Sequence, residues 1–135
     1  MLHTYGGDVH NEAISTCSEQ PSLEDIAWYC NNSGDKLHAV GGKQANPWGF
    51  HDILGNVYEW VDYVTDGPPL DESDGHPGED LVDPTGPPTG DSWDVRGGNF
   101  LWPGCEVRTS YQFPRRPHFR YINIGFRPVR TIFEK

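Results

Sequence analysis

Apolar residues fall along this chain in short, interrupted groups. Leu23, Ile26, Ala27 and Cys30 recur at three- and four-residue intervals, with Ser22 placed as an N-cap and Glu24 and Asp25 in the first turn. That spacing predicts a short helix over 22–30, which Asn31-Asn-Ser-Gly-Asp35 ends. Leu37 to Val40 predict a strand, and residues 41–47 a turn-rich connection. From Trp48 to Val61 the apolar positions Ile53, Leu54, Val57, Tyr58 and Trp60 flank Gly55, a pattern that suits a tight turn leading into a strand. Val95 to Trp102 reads as a strand with a glycine pair, where a missing side chain permits a bulge or a close backbone approach. Cys105 to Tyr111 and Asn123 to Val129 are further predicted strands, separated by a basic, proline-broken loop over 113–120. Asp66 to Trp93 holds six Pro and five Gly among acidic residues and predicts a long surface loop.

Composition sharpens this picture. The 135 residues have room for one domain, 1–135. Gly 16 and Pro 12 leave little chain for long helices, while five Trp, six Tyr and six Phe supply large buried areas. The expected class is a loop-rich α+β domain. A net charge of −10 argues against nucleic acid or an anionic membrane as partner. No apolar run reaches membrane-spanning length and no secretory signal opens the chain, so a cytoplasmic location is the default expectation.

Charge is unevenly distributed. Residues 62–95 hold ten Asp and Glu and no Lys or Arg, whereas 96–135 hold eight Lys and Arg against Glu106 and Glu134. The simplest expectation is that these parts pair through Arg and carboxylates. Three cysteines, Cys17, Cys30 and Cys105, are too few and too widely spaced for a zinc motif or a dense disulfide framework, and are expected to be unpaired thiols. The six histidines show no zinc-ligand spacing, and neither a nucleophile elbow nor a phosphate-binding glycine loop is present.

Asn46-Pro-Trp-Gly-Phe-His-Asp-Ile-Leu-Gly-Asn-Val-Tyr-Glu-Trp60 resembles a signature of the formylglycine-generating enzyme, or sulfatase-modifying factor, family. Asp83-Pro-Thr-Gly-Pro87, Val95-Arg-Gly-Gly-Asn-Phe100, Cys105-Glu-Val-Arg108 and Gly125-Phe-Arg127 follow in the family's order, and the resemblance covers about residues 26–130. It implies a variant of the C-type lectin fold, truncated at the N-terminus relative to family members. A half core leaves apolar surface uncovered, so a homodimer is expected.

The resemblance also implies sites. The family turn holds calcium, here through a side-chain oxygen of Asp52, the carbonyls of Gly55 and Val57, and the carboxylate of Glu59; hard oxygens around a glycine turn suit that ion. The other reading of the same residues is metal-free, with Glu59 paired to Arg96 or Arg127. Oxidase members bind copper through two thiolates, and at that stretch this chain offers Cys105 alone, which aligns with a structural cysteine; copper and formylglycine generation are not expected. Phe100, Trp102, Tyr111, Phe113, Phe119 and Tyr121 lie among Arg115, Arg116 and Arg120, a mixture common in binding surfaces. In lectin-fold relatives with a diversified C-terminal region the variable residues fall in the matching span, roughly Asn99 to Asn123. The leading expectation is therefore a module for a small-molecule, carbohydrate or protein ligand, contacted by Phe100, Trp102, Tyr111, Arg115, Arg116 and Tyr121. The alternatives are an oxidoreductase using Cys105 and a partner subunit completing a split family domain.

Overall fold

The computed structural model describes residues 16–65 and 90–130. Its regular elements are β1 (Tyr58–Thr65), β2 (Ser92–Arg96), a 3-10 turn (Gly104–Glu106), β3 (Phe113–Arg115) and β4 (Ile124–Gly125). They form a four-stranded sheet in the order β3-β2-β1-β4. β1 runs antiparallel to β2, in register Glu59 with Arg96 and Trp60 with Val95, and parallel to β4. β3 lies antiparallel to β2, Val95 facing Phe113 and Trp93 facing Arg115. β1 is rich in aromatic and β-branched residues, which suit a pleated, half-buried surface. The turn from Trp48 into a strand is as the sequence predicts, and most of the acidic stretch, 66–89, lies outside the described residues.

A core outside the sheet joins Leu23, Ala27, Tyr29, Leu54 and Val107, all buried. Leu23 and Ala27 are on the face expected of a helix, but no helix forms. The Leu23 carbonyl accepts from the amides of Ile26 and Ala27, giving one turn. The chain then leaves helical geometry because Trp28 pairs, strand-like, with Gly55, and Asn32 accepts from the Tyr29 amide while donating to the Ala27 carbonyl. The expectation of three unpaired thiols is also corrected: Cys17 and Cys30 form a disulfide, leaving Cys105 free. Spacing gave no sign of it, since the loop between them folds back on itself through Tyr29, whose hydroxyl accepts from the Gln20 amide and donates to Glu24.

Other expected strands shrink or move. Residues 37–40 are not a strand, because their partner is a side chain: Asn56 accepts from the His38 amide and donates to the His38 carbonyl, both at 3.1 Å. Cys105 to Tyr111 begins as the 3-10 turn, with Pro103 and Gly104 carbonyls accepting from Glu106 and Val107, and continues in turns. Residues 113–120, expected as loop, contribute β3, with Pro114 on an edge strand where its missing N–H is tolerated. The strand expected over 123–129 is confined to Ile124–Gly125.

The glycine pair behaves as predicted. β2 stops at Arg96, and Gly97 and Gly98 take φ of +92° and +78°. A Cβ on Gly97 would meet the Ile53 carbonyl oxygen at 2.6 Å, and one on Gly98 the Val107 Cα at 2.7 Å. Among the described residues, ion pairs join Arg127 with Glu59 and Arg96 with Asp94. The first joins the basic part to the start of β1, not to the acidic middle.

Candidate functional site

Successive residues of a strand point to opposite faces of the sheet, so Tyr58 and Glu59 at the start of β1 open onto two different surfaces. On the first, the Tyr58 hydroxyl donates to Glu106 Oε2 at 2.9 Å. The Tyr111 hydroxyl lies close enough to interact electrostatically with Glu106. Phe113 of β3 is the centre of the rings here: Tyr58 lies 5.8 Å away, Trp102 6.2 Å at an edge, and Tyr111 6.3 Å. The Arg115 guanidinium lies over the Phe113 ring at 3.1 Å and 5.6 Å from the Tyr121 ring. Phe119 meets Tyr121 edge-on at 6.5 Å.

Burial governs the electrostatics of this surface. It raises the Glu106 carboxyl above the usual range, against the opposing pull of the Tyr58 and Tyr111 hydroxyls and of Arg108 and Arg115. It pushes Tyr111 up to about 12, helped by Glu106, and Tyr58 higher still. The Cys105 thiol is raised by burial and by Glu106, which disfavours its thiolate.

Trp102, Tyr111, Arg115 and Tyr121 thus come together as the sequence suggests, but Phe100 does not join them. It is 4% exposed and belongs to the interior, its carbonyl accepting from Ser33 Oγ at 2.7 Å. Arg116 is exposed beside them. Glu106 and Tyr58 were not anticipated. The signal for Tyr58 was its place beside Glu59, which sends it to the opposite face; Glu106 carries no signal beyond following Cys105.

The second surface is a cleft of about 640 Å³ whose walls include Val40, Phe50, Val57, Phe126 and Pro128. Asp52, Val57 and Glu59 line it, whereas Gly55 does not. Gly55 instead packs against Trp28 and donates its amide to the Gly97 carbonyl. Arg127 forks Glu59 through Nε at 2.9 Å and Nη2 at 2.6 Å, and Nη2 also donates to the His51 carbonyl. Asp52 takes a φ of +56°; its Oδ2 accepts from the Gly41 amide at 2.7 Å, while its buried Oδ1 has no hydrogen-bond partner among the described residues. Among the described residues no three His, Cys, Asp or Glu side chains converge on a metal position. A cation in this turn would therefore depend on main-chain carbonyls, with the orphaned Asp52 oxygen and the unused lone pairs of Glu59 as its charged ligands.

The raised Glu106 carboxyl has a defined consequence. Because its folded-state pKa lies above its unfolded one, ionisation penalises the folded state; the penalty is absent below the unfolded value, grows as pH rises between the two values and is complete above the folded one. In thermal unfolding at pH 4 and pH 7, Glu106→Gln is expected to gain stability relative to the unmodified protein as pH rises. A difference between the two that does not change with pH would contradict the buried carboxylate.

The chain matches the sulfatase-modifying factor enzyme 1-like domain over residues 7–132. Among solved structures it is similar to Treponema denticola variable protein 1, with 30% identity and a TM-score of 0.69 over 80% of this chain and 37% of that one. PvdO from Pseudomonas aeruginosa is similar at 25% identity and a TM-score of 0.59, over 76% of this chain and 38% of that one. CarF shares the fold at 23% identity and a TM-score of 0.51, over 82% and 35%. The chain spans less than two fifths of the length of each of these structures. No match is found among the curated proteins. The loop-rich sheet is C-type-lectin-like, as the sequence motifs imply, and with nearly all of its length matched the chain belongs to the sulfatase-modifying factor enzyme 1-like domain family.

Proposed function

We propose that this chain is a binding module, with the surface around Phe113 as its ligand face. The observation that carries this reading is the gathering of Trp102, Tyr111 and Arg115 around the Phe113 ring, with Tyr121 on the Arg115 guanidinium, Trp102 still 38% exposed and Arg116 and Phe119 exposed alongside. Rigid aromatic side chains give contact area at low entropic cost, and a stacked guanidinium adds directional donors. Glu106, held by the Tyr58 hydroxyl, braces the face from beneath.

The same reading makes the chain silent for the family oxidation. Two of its three cysteines are joined to each other, and the third is a thiol that burial keeps protonated, so no pair of thiolates is available to copper. A disulfide also favours an oxidising compartment over the cytoplasm expected by default. Calcium remains part of the proposal as a brace: Asp52 and Glu59, with the Gly55 and Val57 carbonyls, would hold it, and it would supply positive charge to a turn that carries an unpaired buried oxygen.

Trp102→Ala is expected to abolish ligand capture, read as loss of a ligand-induced rise in unfolding temperature, while lowering stability by no more than about 1 kcal/mol. Retained capture, or a variant that unfolds, would place Trp102 in the core instead. Calcium added at about a hundred times its Kd should stabilise the fold by about 2.7 kcal/mol over EDTA, and Asp52→Asn should reduce that gain. A calcium series without effect would leave the Glu59–Arg127 pair as the turn's own brace. Alkylation of protein taken from its native cells without reductant should modify Cys105 alone; modification of all three cysteines would refute the oxidising compartment.

A further inference from the structure

Among the described residues, Arg127 and Arg96 are each matched to a carboxylate. Arg127 forks Glu59, and Arg96 donates to Asp94 at 3.3 Å. Arg115 is different. Its Nη1 donates to the Pro114 carbonyl at 3.0 Å and its plane covers Phe113, but among the described residues none of its contacts is a hydrogen bond to a carboxylate. The carboxylate of this face, Glu106, accepts from the Tyr58 hydroxyl and acts on Arg115 through charge without a hydrogen bond between them. Burial lowers the Arg115 pKa, the mark of a half-desolvated cation that its surroundings do not fully compensate. The surrounding sequence adds positive charge: between Arg108 and Arg130 there is no Asp or Glu, while Arg116 and Arg120 are exposed nearby. In a protein of net charge −10 this segment is locally positive, which favours an anionic ligand here.

We infer that Arg115 anchors a carboxylate of the ligand, and that the ligand is an acid with a flat apolar body. This rests on the binding face proposed above. A guanidinium has five donors in one plane; the Phe113 face and the Pro114 carbonyl fix that plane, and most of the donors along its edge are left for a forked carboxylate. The body of the acid then lies among Trp102, Tyr111 and Tyr121. Addition of a polypeptide along β3 as a further strand is disfavoured. Pro114, at the middle of this edge strand, has no N–H to offer, and its carbonyl is already capped by Arg115. The acid is therefore either a free aromatic acid or the terminal carboxylate of a peptide with an apolar last residue.

Phenylacetate, phenylacetamide and phenethylamine separate the charge from the ring, and a tetrapeptide ending in Phe, with free or amidated terminus, separates the two sources. In NMR titrations at low salt, phenylacetate or the free-acid peptide is expected to shift the Trp102 indole and Arg115 side-chain signals, binding at least about tenfold more tightly than its amide. Whichever of the two is tighter identifies the source. Arg115→Gln should remove that preference, and Arg115→Lys, which keeps the charge without the planar fork, should lose most of it. Should Arg115→Gln fail to fold, Arg115→Lys and the acid-against-amide comparison on the unmodified protein decide the matter. Acid and amide binding equally at Trp102 would overturn the anchor and leave the binding face standing. No shift from any probe, or full preference in Arg115→Gln, would overturn it as well; whether the face itself fails is read separately from Trp102→Ala.

Discussion

Asn56 is the residue on which the irregular parts of this fold converge. Its amide donates to the Trp28 carbonyl at 2.8 Å and its carbonyl accepts from the Phe100 amide at 2.9 Å, while its side chain makes both hydrogen bonds to the His38 backbone. Three segments distant in sequence are joined by one buried residue. Leaving any of those buried groups unpaired would cost about 1–3 kcal/mol. The arrangement needs a left-handed backbone, φ +60° at Asn56 and +75° at Gly55, which glycine and asparagine tolerate best. It also needs Gly55 bare, since a Cβ there would lie 2.7 Å from the Trp28 nitrogen and closer still to its carbonyl oxygen.

From this junction the two surfaces follow. β1 begins two residues later, and its alternation sends Tyr58 toward Glu106 and Glu59 toward Arg127. The Phe100 hydrogen bond fixes the loop that carries Trp102, and the Trp102 carbonyl in turn accepts from the amide of Cys30, tying that loop to the disulfide. Gly104, the first residue of the 3-10 turn, has Gln20 and Leu23 side chains against it, so the same N-terminal segment sets the position of Glu106. Little of this is regular secondary structure. The rigidity of the ligand face is inherited from side-chain-to-backbone bonds and tight glycine contacts, which is how a loop-rich domain can hold an aromatic surface in one arrangement.

Much of this was legible in the sequence. The motif from Asn46 to Trp60, the glycine pair and the closing Gly-Phe-Arg gave family and fold together, because those residues are dictated by backbone geometry. The ring-and-arginine surface was legible as composition, although Phe100, indistinguishable in sequence from its neighbours, turned inward. What escaped was set by long-range contact. A helical spacing at Leu23 to Cys30 lost to pairing of Trp28 with Gly55, and a strand at Leu37 to Val40 was replaced by pairing with an asparagine side chain. The Cys17–Cys30 disulfide and the Glu106 hydrogen bond depend on how loops meet, which local pattern does not encode.

The most direct test of this account is native-state hydrogen exchange at single-residue resolution. If the junction holds the fold together, the amides of Gly55, Asn56 and Phe100, although in loops, will exchange only through global unfolding, with protection equal to that of Val95 in β2. Exchange at these three amides as fast as at exposed loop positions, with β2 still protected, would show that the sheet stands without the junction and would contradict the account.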